Sequence, residues 1–313
     1  MNLCLHPMRR RALHGFTLVE LILVIVIMSV IALTLAVTIK PSVEAFNAVK
    51  GRADLVDQAD SALRRMISDV RSGVPNSLRS PNTQCFEVIP TKTGGRYRMA
   101  ADYANDTAAS CDAGSDAPTD SCSAPLDPSK AVPAAPQTTM VFDSLSSLSP
   151  APAVGDWVVV NNQNSNDVYV GNNRTDITAI SSPAPVSGLG AHRITINKKQ
   201  FSAGYDGGRF QVVDNTQKAV FYVCANAGID ASGNGTGTLY RIKNYGFNPS
   251  VGTTCPATTG GDVLATRIVS CSFLYDPSQG ATQQSGFLFM DLKLSRNNET
   301  SRLAVGAHVN NVP

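Results

Sequence analysis

The chain has 313 residues, of which 43% are hydrophobic and 16% charged, so it can bury a core and is too apolar for a disordered protein. Its formal net charge is +2, and Arg9, Arg10 and Arg11 all precede the first apolar run. Without residues 1–15 the chain keeps 23 basic against 24 acidic residues, a net charge of about −1 that leaves no concentrated cationic footprint for nucleic acid.

In chain order, the basic stretch comes first. From Leu21 to Ile39 the sequence LILVIVIMSVIALTLAVTI then carries no charge. At about 1.5 Å per residue a helix of this length crosses a bilayer core of about 30 Å. The arginines before it predict a cytoplasmic amino terminus and an exported remainder. The run is longer than the apolar part of an ordinary secretory signal, and it continues as a helix.

Glu20 sits at the mouth of this run, between Val19 and Leu21. A charge inside a membrane segment costs about 2.5–3.5 kcal/mol on insertion scales, so it needs a partner or a purpose. Gly15, Phe16 and Glu20, in the order basic stretch, GFTLVE, long apolar helix, closely resemble the class III signal of type IV pilins and type II secretion pseudopilins. The resemblance implies a leader at 1–15, cleavage between Gly15 and Phe16 by a prepilin peptidase, and N-methylation of Phe16. It also implies that Glu20 pairs with the positive amino terminus of a neighbouring subunit, a registry device.

The membrane helix is expected over 16–40 and an amphipathic continuation over 41–72. Pro41 can bend the helix without ending it. Val43, Phe46, Val49, Ala53, Val56, Ala59, Leu63, Met66, Ile67 and Val70 recur at spacings of three and four, a stripe expected to pack on the head's own sheet. Charged residues between them, Asp69 included, form the opposite face. Gly73 and Pro75 stop the helix.

From 73 to 313 short β-favouring runs alternate with Gly, Pro, Asn and Asp, predicting an exported β-rich head. Strands are expected at 85–89, 96–100, 156–160, 193–196, 210–213, 220–224, 238–243, 268–275, 287–294 and 302–308. The fold class expected is α+β, a long amino-terminal helix packed on an antiparallel sheet. Surface loops are expected at 102–137 and, from NNQNSND through SSPAPVSGLG, at 161–190.

Cys4 falls in the leader, leaving Cys85, Cys111, Cys122, Cys224, Cys255 and Cys271. An even number without a CxxC pair argues for disulfides in an oxidising compartment, and spacing alone leaves fifteen connectivities open. The arrangement expected here is Cys111–Cys122 and Cys224–Cys255 as local pairs, with Cys85–Cys271 as a long-range staple.

Enzyme chemistry is poorly supplied. Only His192 and His308 lie beyond the leader, and the sequence holds no HExxH, GxSxG or Walker-type loop. No cofactor is expected. Asp102, Asp106, Asp112, Asp116 and Asp120 are oxygen donors that calcium could use, but they lack EF-hand spacing and read as solvated loop acids. Tyr97 and Tyr103 could contact a sugar or surface in an adhesin, although such aromatics are more often structural.

A further resemblance lies toward the carboxyl terminus. AVFYVCANAG, GTLYRIKNYGF, TTCP, DVLATRIVSCSFLYD and the terminal HVNNVP are similar to the minor pilin-like proteins of the mannose-sensitive haemagglutinin (MSHA) pilus, MshO type, and more loosely to minor pilins of the PilW kind. This implies a structural subunit that primes or caps a type IV pilus. Its partners would be the inner membrane, prepilin peptidase, major and minor pilins and the assembly platform, with no nucleic acid. The precursor would be a single-pass inner-membrane protein with a periplasmic head, passing later into a pilus or pseudopilus. A type II secretion pseudopilin, or a tip adhesin for glycans or surfaces, are the alternative readings.

Overall fold

A computed structural model describes residues 15–97, 139–182, 190–201, 208–279 and 285–310. The chain divides into two compact units, Met1–Gly51 and Arg52–Pro313. The boundary falls within one helix, α1 (Leu18–Arg71), which runs on through Pro41 and stops before Gly73 and Pro75 as its sequence anticipates. In the first unit every described residue from 15 to 47 is exposed, so a continuous apolar surface lies bare. This helix is long and apolar enough to cross a membrane by length and composition.

The second unit is α+β, as expected. Its strands are β1 (Arg79–Asn82), β2 (Cys85–Val88), β3 (Thr93–Arg96), β4 (Thr139–Ser144), β5 (Trp157–Val160), β6 (Arg174–Ser181), β7 (His192–Lys199), β8 (Arg209–Val213), β9 (Val220–Ala225), β10 (Gly237–Ile242), β11 (Asp262–Gln279), β12 (Ser285–Arg296) and β13 (Glu299–Asn310). A short helix, α2 (Asp167–Val170), precedes β6. They form a seven-stranded antiparallel sheet ordered β1-β2-β9-β10-β11-β12-β13 and a six-stranded one ordered β3-β8-β5-β6-β7-β4.

The seven-stranded sheet carries the helix. Leu55, Ala59, Ala62, Leu63, Met66 and Val70 lie at helical spacing and enter one core with Phe86, Tyr222, Leu239, Phe273, Leu288 and Met290. The expected stripe is therefore rotated and shortened: Val43, Phe46, Val49 and Val56 stay exposed, while Leu55 and Ala62 are buried in their place. Alternation along β12 is as read from sequence, with Leu288, Met290 and Leu292 inward and Phe287, Phe289 and Asp291 outward. The β12–β13 hairpin closes through Asn297 and Asn298, both at positive φ, the two-residue turn that matches strand twist.

The six-stranded sheet closes on itself. A bridge between Tyr97 and Ser144, with the Leu145 N–H donating to the Arg96 carbonyl at 2.8 Å, joins β3 to β4, the two ends of the strand order. Phe142, Val158, Ile177, Ile194, Phe210 and Val212 fill the small barrel. Tyr97 is 1% exposed and belongs to this core, so it offers no sugar-binding face. Tyr103 lies outside the described residues.

Three expectations need correction. Residues 161–182 are not a surface insertion: they hold α2 and β6, and Asn161, Asn162, Val168, Tyr169 and Asn173 are buried. The asparagine amides replace backbone partners, since the Asn162 amide donates to the Pro75 carbonyl (2.6 Å) and its oxygen accepts from the Val168 N–H (3.1 Å) and from Asn173 (2.8 Å). The strand expected at 96–100 is β3, Thr93–Arg96, which includes Gly94 and Gly95; residues 98–100 lie outside the described residues.

The disulfides also differ. Cys85 bonds to Cys255 and Cys224 to Cys271, replacing the expected Cys224–Cys255 and Cys85–Cys271. The pleat explains it. Cys85 lies opposite Val223 in register, so its side chain and that of Cys224 leave opposite faces of the sheet. Cys224 and Cys271 share the helix-side core, whereas Cys85 and Cys255 share the cluster with Phe221 and Ile242. Cys111–Cys122 and the aspartates from Asp102 to Asp120 lie outside the described residues.

Candidate processing and assembly site

The start of α1 is built by two side chains. Thr17 precedes the first helical residue, and its Oγ1 accepts a hydrogen bond from the Glu20 N–H at 3.3 Å. In return, Glu20 Oε2 accepts from the Thr17 N–H at 3.1 Å and from the Thr17 hydroxyl at 3.2 Å. This reciprocal arrangement is a capping box, which satisfies helix N–H groups that otherwise lack partners. A carboxylate in the first turn also complements the positive end of the helix dipole. Thr17 was not singled out from sequence; its signal is the T-x-x-E spacing ahead of an apolar run.

Gly15 and Phe16 lie just outside this cap. A Cβ built on Gly15 meets nothing within 4 Å, and Phe16 is 82% exposed. Among the described residues nothing therefore asks for glycine at position 15.

Downstream, the few polar side chains in the apolar run are satisfied by the helix itself. Ser29 Oγ donates to the Ile25 carbonyl (2.7 Å), Thr34 Oγ1 to Ile31 (2.8 Å) and Thr38 Oγ1 to Thr34 (3.0 Å). This is what a lipid surrounding requires, since hydrocarbon offers no partners.

Inside the head, ionic groups serve packing. Asp69 is 4% exposed on the helix face expected to be polar, and it accepts hydrogen bonds from the Tyr222 hydroxyl (2.6 Å) and Arg241 Nε (2.9 Å). Burial, and then Asp69, raise the Tyr222 phenol above its ordinary range. Glu87 is also buried and accepts from Arg79 and the Tyr245 hydroxyl. Arg79 in turn lies over the Tyr169 ring at 3.5 Å. Burial outweighs these partners and raises the Glu87 carboxyl. His192 accepts from the Leu148 N–H at 3.1 Å, and His308 packs edge-on against Phe287. The two histidines thus stand in separate structural contacts. Among the described residues no three His, Cys, Asp or Glu side chains gather as a metal site.

What the geometry offers is an exposed, capped, apolar helix start, and residues 10–36 match the family described as Prokaryotic N-terminal methylation motif. This chain carries a prepilin-type signal. The matched span contains Gly15, Phe16, Thr17 and Glu20 and most of the apolar run. No curated protein and no solved structure matches the chain. The prepilin-type signal supports a type IV pilin- or pseudopilin-like subunit, processed by prepilin peptidase and assembled with other pilins from the membrane. It fits a membrane-anchored precursor and a structural role.

Proposed function

We propose that this prepilin-like chain is a minor subunit that primes or caps a type IV pilus of the MSHA kind. The observation that carries the reading is the bare apolar helix, opened by the Thr17–Glu20 cap and led by Gly15 and Phe16. Cleavage falls between Gly15 and Phe16, Phe16 is N-methylated, and the Glu20 carboxylate meets the amino terminus of a neighbour. The amino terminus starts on the cytoplasmic side and the head is periplasmic before assembly. Val43, Phe46, Val49 and Val56, exposed at spacings of three to seven, extend the apolar surface past the membrane run and suit a neighbour's helix.

Support for the MSHA kind is the sequence resemblance of the carboxyl-terminal segments. AVFYVCANAG, GTLYRIKNYGF and DVLATRIVSCSFLYD supply β9, β10 and β11, three adjacent strands of the helix-bearing sheet. They form one contiguous block of that sheet. Deleting the chain in its native cell should abolish surface pili and leave protein secretion intact. Loss of secretion with normal pili would instead assign it to a type II pseudopilus and overturn the proposal.

A further inference from the structure

Arginines on the strands of this head have protein partners as a rule: Arg174 donates to the Val168 carbonyl (2.6 Å), Arg267 to the Asn234 side-chain oxygen (3.1 Å), and others meet carboxylates. Arg79 pairs with Glu87, Arg193 with Asp143 (2.9 Å), Arg241 with Asp69 (2.8 Å) and Arg302 with Asp291 (2.6 Å). Arg96 and Arg209 depart from it. They face each other directly across the β3–β8 pair, both are exposed, and among the described residues neither meets a carboxylate. Like charges directly opposite on one sheet face repel, so this pair works against the fold.

Beside the two arginines the surface dips into a shallow, open depression. Gly94, Gly95, Ser146, Phe210 and Gln211 complete its lining. A second recess shares Gly94, Arg209 and Gln211 and continues toward Arg71 and Lys92. Arg71 is exposed, and Lys92 already holds Asp156 at 2.8 Å. The result is a shallow groove whose Arg96 and Arg209 guanidinium groups meet no carboxylate among the described residues, with hydroxyl and amide side chains beside them.

We infer that this groove binds an acidic polysaccharide bearing carboxylates along its length, such as a polyuronate. Guanidinium forks recognise carboxylates in two-point fashion, and spaced carboxylates relieve the Arg96–Arg209 repulsion. A protein partner would need a central apolar anchor, and the aromatic ring in the groove, Phe210, is 1% exposed. Nucleic acid would need a broad cationic surface, against a net charge of about −1 for the chain without its leader. The inference goes beyond the assembly role and does not depend on which filament the subunit joins.

Binding of fluorescent polygalacturonate to the full-length processed protein in detergent, beside neutral dextran and a DNA duplex of similar length, tests it. Polygalacturonate should bind, dextran should not, and added salt should weaken the interaction. Arg96→Gln with Arg209→Gln should weaken binding about tenfold or more while the melting temperature holds or rises. Gln211→Glu, which places a carboxylate in the groove, should block binding and also stabilise, and Arg302→Gln should leave binding unchanged. No binding by the unaltered protein, tighter binding of DNA, equal weakening by Arg302→Gln, or a lower melting temperature in the double variant would each overturn the assignment. The last would mean that the chain itself supplies the counter-charge.

Discussion

Glu20 and Thr17 cap the start of α1 reciprocally, each side chain accepting the other's backbone N–H. Glu20 therefore has a local job as well as the intersubunit one proposed for it, and the two can be separated. Gln at this position keeps the cap and removes the charge. Glu20→Gln should leave membrane abundance unchanged and reduce recovery in sheared filaments, and Glu20→Leu should do the same. Thr17→Ala, which weakens the helix start by about 1 kcal/mol, should leave recovery close to normal. Equal recovery of Glu20→Gln and the unaltered chain would remove the intersubunit role.

Asp69 ties the helix to the sheet through Tyr222 and Arg241, all three buried. Asp69→Ala strands the Arg241 guanidinium without its counter-charge, and breaking a buried pair in this way costs about 3–5 kcal/mol. Denaturant unfolding of the purified protein should show that loss. A change under about 1 kcal/mol would mean that Arg241 finds another partner.

Much of this architecture was readable from periodicity. The helix with its end at Gly73 and Pro75, the alternation of β12 and nine of the ten expected strands are local patterns. What escaped depends on parity and on distant partners. Asp69 looks like one more surface acid, yet Arg241 and Tyr222 bury it from far along the chain. NNQNSND looks like an exposed loop until its amides meet Pro75 and Val168. The disulfide pairing turns on which face of the sheet each cysteine leaves, and nearness in sequence carries no information on that. Thr17 was readable and overlooked, because the T-x-x-E spacing coincides with the more conspicuous Gly-Phe-Glu pattern.

Non-reducing peptide mapping should yield Cys85 linked to Cys255 and Cys224 linked to Cys271, across sequence separations of 170 and 47 residues. Losing the longer link should cost about 5 kcal/mol in the chain-entropy picture, and the shorter one about 4 kcal/mol. A Cys224–Cys255 peptide would contradict the face assignment.

Stability should fall on the alkaline side for a definite reason. Burial raises the phenols of Tyr169, Tyr222 and Tyr245 above the ordinary value of 10.0. Above that pH the folded state holds more protons than the unfolded one, so their contribution is full below pH 10 and is lost as pH rises further. Phenolate absorbance should therefore appear together with unfolding. Glu87 acts with the same sign at acid pH. Its carboxyl is raised above the ordinary 4.5, chiefly by burial, so its contribution is full below about 4.5 and declines as pH rises through its folded value. Glu87→Gln should remove that slope.

Intact mass with amino-terminal sequencing of protein from sheared filaments reads the first residues of the mature chain directly. The expected chain begins at Phe16, carries one added methyl group on its amino terminus, and lacks Arg9, Arg10 and Arg11. Gly15→Ala should still be processed, and bulkier residues at position 15 should not, although among the described residues nothing meets a Cβ there within 4 Å. A filament-borne chain that retains the three arginines, or that begins at an unmethylated residue other than Phe16, would contradict the account.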